Sequence, residues 1–198
     1  MAYNQFTLNQ LREEYHLEIT GQSALFAAVA PAAIPDWLRD SLARQTDVAL
    51  RSGSEKARSE YIVAPILLSV YEQMRDRANL FSGVEFDVDT ANGLTGYCDF
   101  LFTLAPHSID IQAPVVSVVE AKKDDIPRGI PQCLAELVAA QILNAKAGKP
   151  IETLYGVITT GEIWKFLRLH GLNATIDIDD YFLNQPEQIV GILLSMLQ

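Results

Sequence analysis

Cysteine is nearly absent from this sequence: Cys98 and Cys133 are the two in 198 residues, beside three histidines. Their separation fits no metal-ligand spacing and builds no disulfide framework, so reduced thiols in a cytoplasmic protein are expected. Long apolar runs are missing too. The stretch 24–34 is the best candidate, yet it contains Pro31, stops at Pro35 and falls short of the roughly 18 residues of a membrane helix. It also lacks the basic flank of a signal peptide, because Arg12 sits beside Glu13 and Glu14. No membrane partner is expected. Neither GxxxxGK nor GxGxxG occurs, which argues against nucleotide use. Positive charge is scarce: 15 Lys and Arg face 25 Asp and Glu, a net charge of −10. A freestanding duplex-binding protein needs a basic stripe to neutralise phosphates, so this balance stands as an objection to any nucleic-acid role.

What is present is apolar. Hydrophobic residues make up 49% and charged residues 20%, enough to bury a sizeable core and too apolar for disorder. The first fifty residues read as helical. Thr7 and Gln10 form a capping-box pattern ahead of Leu8, Leu11 and Tyr15, and Pro35 suits the first turn of a helix carrying Trp37, Leu38 and Leu42. The alanine-rich stretch between them carries no clear signal. Ser52 and Glu55 make a second capping-box pattern, starting a helix to about residue 77 that Pro65 should kink. Strands follow at 84–88, 94–104 and 115–122, with Asn92-Gly93 as a hairpin turn. Pro131 then opens a helix to 147, a second hairpin spans 153–169, a short edge strand lies at 176–178, and a last helix runs to 197. The order implies an α/β fold, a mixed central sheet flanked by helices.

Two carboxylates interrupt these strands. Glu120 and Lys122 end the run of Val115, Val116, Val118 and Val119, and strand residues two apart share a face. Taken alone, they read as a salt bridge at a strand end. Asp99 changes the balance, because it interrupts Cys98 and Phe100 in another apolar strand, where an unpaired carboxylate costs several kcal/mol. Acids on neighbouring strands with a lysine two positions on make a site for a hard cation. Mg²⁺ or Mn²⁺ suits such oxygens, with the Ala121 carbonyl as a further ligand. Lys122 would then orient a water and stabilise charge developing on phosphorus.

Asp99, Glu120, Ala121 and Lys122, in this order of elements, resemble the PD-(D/E)XK nuclease superfamily, and within it the nuclease domain of type I restriction motor subunits. The resemblance covers about residues 52–170 and implies a restriction endonuclease-like domain at 51–198 behind a helical N-terminal extension at 1–50. It implies metal ligands at Asp99, Glu120, Ala121 and Glu60, the last from the helix preceding the sheet, and catalytic roles for Asp99, Glu120, Lys122 and Gln132. A Pro-x-Leu pattern of such members would account for Pro65. The QxxxY pattern of the family becomes Gln132 with Glu136 here, so Glu136 is left to join the metal site, pair with Lys122 or Lys123, or be solvated. The implied activity is Mg²⁺-dependent hydrolysis of phosphodiester bonds, in DNA in preference to RNA, within a defence, recombination or mobile-element system. The acidic balance then calls for a homodimer groove or a partner protein to complete nucleic-acid affinity. The competing reading is a non-catalytic protein-interaction module on the same scaffold. Trp37 and Trp164 read as core or interface anchors, and both cysteines as core thiols.

Overall fold

The computed structural model describes residues 2–122 and 124–198. Its elements run α1 (Leu8–Glu14), β1 (Glu18–Ser23), α2 (Asp36–Ser52), α3 (Glu55–Arg58), a π-helical turn (Ser59–Val63), α4 (Ala64–Met74), β2 (Asn79–Glu85), β3 (Tyr97–Thr103), β4 (Val115–Ala121), α5 (Ile126–Lys146), β5 (Thr153–Thr159), β6 (Ile163–His170), β7 (Asn173–Asp177), β8 (Tyr181–Phe182) and α6 (Pro186–Ser195). The strands form one eight-stranded mixed sheet in the order β1-β7-β6-β5-β4-β3-β2, with β8 paired to β6. β1/β7 and β4/β5 are parallel pairs, while the other pairs are antiparallel. The chain is therefore a mixed α/β protein, as the order of elements implied.

Helices cover both faces of the sheet. Leu38 and Leu42 of α2, Ile66 and Leu67 of α4, and Ile189 and Leu193 of α6 bury against Phe100, Phe102, Val157 and Phe166. On the opposite face Leu134, Leu137 and Val138 of α5 bury against Leu101, Val118, Ile158 and Leu167, joined by Tyr3, Phe6 and Leu11. Strand alternation divides the two cores: on β5, Leu154 and Ile158 face α5 and Val157 faces the other helices. A side chain at Gly156 would meet the Cys133 sulfur at 2.5 Å, so glycine lets α5 lie close to β5. Asn144 fixes the other half of that helix. Its amide accepts the Val115 N–H at 2.8 Å and donates to the Val115 carbonyl at 2.7 Å.

Several local expectations are met and several are corrected. Thr7 and Gln10 form the capping box, and Trp164, Cys98 and Cys133 are buried. Trp37 is partly exposed, its indole N–H donated to Glu72. The first fifty residues are not all helical: β1 pairs in parallel beyond β7, so β7 is no longer an edge. These residues also reach both cores, and α2 runs on to Ser52. The helix over 55–74 is capped by Ser54 rather than Ser52, its hydroxyl accepting the Ala57 N–H. Ahead of Pro65 the backbone widens into the π-turn, which accommodates a residue with no N–H to donate. The strand expected at 84–88 is β2 at Asn79–Glu85. Phe86 instead sinks into the core, where the Tyr3 hydroxyl donates to its carbonyl at 2.6 Å. α5 begins at Ile126, five residues ahead of Pro131. Asp125 caps it, and Gly129 packs against Ile158. Pro131 therefore lies inside the helix, where a proline costs about 3 kcal/mol.

Candidate active site

β4 lies between β3 and β5 with helices over both faces, and all seven of its residues are buried. Such a position selects a continuous apolar run. Glu120 departs from it, with 1% of its surface exposed. The β3–β4 ladder runs in register from Phe100↔Val119 to Phe102↔Ser117. One residue beyond it, Asp99 turns its carboxylate across to β4 and accepts the Ala121 N–H at 2.8 Å. A side chain there takes over a bond of the backbone ladder, which holds Asp99 beside the end of β4.

Lys122 and α5 complete the group. The Lys122 ammonium donates to Glu120 Oε2 at 2.8 Å and to Gln132 Oε1 at 3.2 Å. The Gln132 amide nitrogen donates to the same Glu120 oxygen at 2.6 Å and to Glu136 Oε1 at 3.1 Å. Glu136 is fully buried. Glu120 Oε1 and Glu136 Oε2 are buried without a hydrogen-bond partner, although the two carboxyl groups lie within hydrogen-bond reach of each other. The Lys122 end of this group opens on a cleft of about 300 Å³ shared with Asp125, Arg128 and Gln132.

Burial dominates the electrostatics. It pushes the Glu120 carboxyl up to about 6, with the Asp99 charge adding to the rise and Lys122 opposing it. Asp99 is raised by burial as well, against the Ala121 amide and Lys122. Burial and then the Glu120 charge push Glu136 well above the usual carboxylate range. For Lys122 burial works against the ammonium, but Glu120 and Asp99 outweigh it and its pKa rises. Three carboxyl groups thus lie around one lysine, each with its charged form disfavoured.

Glu60 is placed differently. It sits in the π-turn and lines a cleft of about 320 Å³ together with Asp99, Ser82 and Ala121. Its carboxylate is exposed and paired with Lys56 at 2.6 Å on the helix surface. The structure therefore brings Asp99, Glu120, Ala121, Lys122 and Gln132 together, with Glu60 at the rim. Among the described residues no three carboxylate, histidine or thiol groups are arranged as a metal-holding cluster. Two carboxylates, one with a buried oxygen that receives no N–H bond, are a donor set that suits a hard divalent cation.

Glu136 is the residue whose role the sequence left open. It bonds to Gln132, and Lys123 lies outside the described residues. Its shared helix face with Ala139 and Ala140, both fully buried, is the signal for that burial. Arg51, Lys56 and Arg58, basic residues that could otherwise meet phosphates, are each paired with an acid. Arg58 also donates to the Thr160 carbonyl at 2.8 Å, tying α3 to the β5–β6 turn. Arg128 lines the Lys122 cleft. A separate cavity of about 660 Å³, bordered by Leu42, Phe182 and Pro186, includes none of the candidate site residues. Among the described residues no helix is long and apolar enough to cross a membrane. No family model matches the chain, and no curated protein matches it.

Proposed function

We propose that this protein is a divalent-metal-dependent nuclease with a restriction endonuclease-like fold, resembling the nuclease domain of type I restriction motor subunits. The observation that carries this reading is the buried Glu120: one oxygen holds Lys122 and Gln132, the other receives no N–H bond, and Asp99 stands beside it. A plain ion pair at a strand end has no use for a second and third carboxyl group. Asp99, Glu120 and the Ala121 carbonyl are the groups that would hold Mg²⁺ or Mn²⁺, with Glu60 at the rim. When bound, the ion would supply a Lewis acid and an acidified water for phosphodiester hydrolysis. Lys122 contributes a fixed positive charge, already oriented by Glu120 and Gln132, against negative charge developing on a phosphate oxygen. Its cleft, with Arg128 on a wall that also carries Glu55, Asp124 and Asp125, would give the phosphodiester an approach. DNA is the substrate to test first and RNA the second. Because several basic side chains are already paired with acids, a second copy or a partner protein completes nucleic-acid affinity in this proposal.

Single-turnover cleavage of DNA and RNA in Mg²⁺ and in Mn²⁺ tests it. Lys122→Ala should leave metal binding nearly intact and lower turnover by about 10²–10³, as loss of one preorganised charge does. Glu120→Ala should remove both metal binding and cleavage. Equal residual cleavage by wild type and Glu120→Ala would identify a contaminant and end the nuclease reading. Tight metal binding without cleavage would favour the non-catalytic module on the same scaffold.

A further inference from the structure

The Gln132 amide is the joint of the site: Lys122 and Glu120 set which way it faces, and Glu136, fully buried on α5, takes its second hydrogen. An amide nitrogen has two hydrogens and an amide oxygen has none. Here one hydrogen goes to Glu120 Oε2 at 2.6 Å, the second goes to Glu136 Oε1 at 3.1 Å, and the oxygen turns to the Lys122 ammonium at 3.2 Å. Turning the amide over would set its hydrogens against the ammonium and its oxygen against the Glu120 carboxylate. Both contacts would be repulsive. Glu136, fully buried on α5, accepts the second hydrogen of the amide and adds a third point of attachment. Without Glu136 the second hydrogen has no partner, and nothing on α5 opposes rotation of the amide away from Glu120.

We propose that Glu136 is a positioning residue that anchors the Gln132 amide in place and, through it, supports the placement of Lys122 and Glu120. Its relevance to catalysis rests on the nuclease reading, whereas its effect on the amide does not. The backbone supports the geometry, since Gln132 and Glu136 are one turn apart on a helix that Asn144 ties to β4. Glu136→Gln keeps an acceptor and the volume. Glu136→Met keeps the volume and removes the acceptor, and replacing a buried carboxyl by an apolar isostere is tolerated by many folds.

Nuclear magnetic resonance of the Gln132 side-chain amide in ¹⁵N-labelled protein is the first test. In the wild type both amide protons should be separately resolved and protected from solvent exchange. Glu136→Met should speed their exchange at least tenfold, and Glu136→Gln should restore protection. A freely rotating, rapidly exchanging amide in the wild type would overturn the proposal before any variant is made. So would unchanged protection in a folded Glu136→Met, and so would lost protection in Glu136→Gln. The second test is Mn²⁺ affinity. Glu136→Met should weaken it by about 10–100-fold, the usual effect of losing a supporting hydrogen bond behind a ligand. The same substitution in a Gln132→Met background should change it less than about twofold, because the path runs through Gln132. Full additivity of the two substitutions would refute that path. A wild type that binds no Mn²⁺ would sink the nuclease reading while leaving the amide result standing.

Discussion

Replacing Glu120 by glutamine should make the metal-free protein more stable at neutral pH, although it breaks an ion pair. The side chain is 1% exposed and its carboxyl is held up at about 6, against an ordinary value of 4.5. Between those two values the folded chain keeps a proton that the unfolded chain has released. The contribution of this group to stability is therefore complete below about pH 4.5 and is lost as the pH rises through 6. A displacement from 4.5 to about 6 corresponds to about 2 kcal/mol. Glutamine has the shape of the neutral acid. Its oxygen can keep the bonds from Lys122 and Gln132, and its nitrogen would take the place of Oε1, within reach of the partnerless Glu136 Oε2. Urea unfolding in the presence of a chelator, at pH 4.5 and pH 7, measures the effect. The expected result is near equality at pH 4.5 and a gain of about 2 kcal/mol for Glu120→Gln at pH 7, or roughly 4–8 °C in a chain of this size. A variant that is less stable at pH 7, or a difference independent of pH, would refute the claim that burial of charge dominates at Glu120.

Two further outcomes follow from the same geometry. Mn²⁺ at ten times its dissociation constant should add about 1.4 kcal/mol to wild-type stability, seen as a melting-temperature rise of roughly 3–6 °C. That rise should vanish in Glu120→Ala; an equal rise in both proteins would place the ion elsewhere. Asn144→Ala strands the buried N–H and carbonyl of Val115 and should destabilise the fold by roughly 2–5 kcal/mol. A loss under about 1 kcal/mol in urea unfolding would mean that α5 is held to β4 by apolar packing alone.

The parts of the fold written into the sequence are those where one physical demand acts alone. β4 and β5 lie inside the sheet under helices on both faces, so their apolar runs announce them. The placement of Glu120 and Lys122 on one strand face, and of Gln132 one helical turn from Glu136, follows from the repeat of each element. Where demands compete, local signals mislead. β1 has one partly buried residue, Ile19, among exposed neighbours, because an edge strand needs little apolar surface and its order comes from β7. The start of α5 is hidden because Pro131 resembles a first-turn proline, whereas Asp125 caps the helix and Pro127 occupies its true first turn. Glu136 is hidden for another reason: no propensity rule favours a carboxyl group in a helix core. Its alanine-lined face was the only hint.

A structural ion pair and a working site make different demands on buried charge, and the imbalance here separates them. A structural pair is neutral as a unit and gains from having every oxygen and hydrogen satisfied. In this cluster Asp99, Glu120 and Glu136 share Lys122, and all three are driven toward their neutral forms. Two of their oxygens are buried and receive no N–H bond, although Glu120 and Glu136 lie close enough to share a proton. Such an arrangement lowers stability at neutral pH, so packing offers no reason for it. Hydrophobic residues in place of the whole group, Lys122 and Gln132 included, would fill the same space without the penalty. The surplus negative charge is matched either by protons held at the cluster or by a cation brought to it. In the proposed nuclease, cation binding would put that surplus to use, because it would offset the desolvation already built into the fold and leave Lys122 free to act on a phosphate.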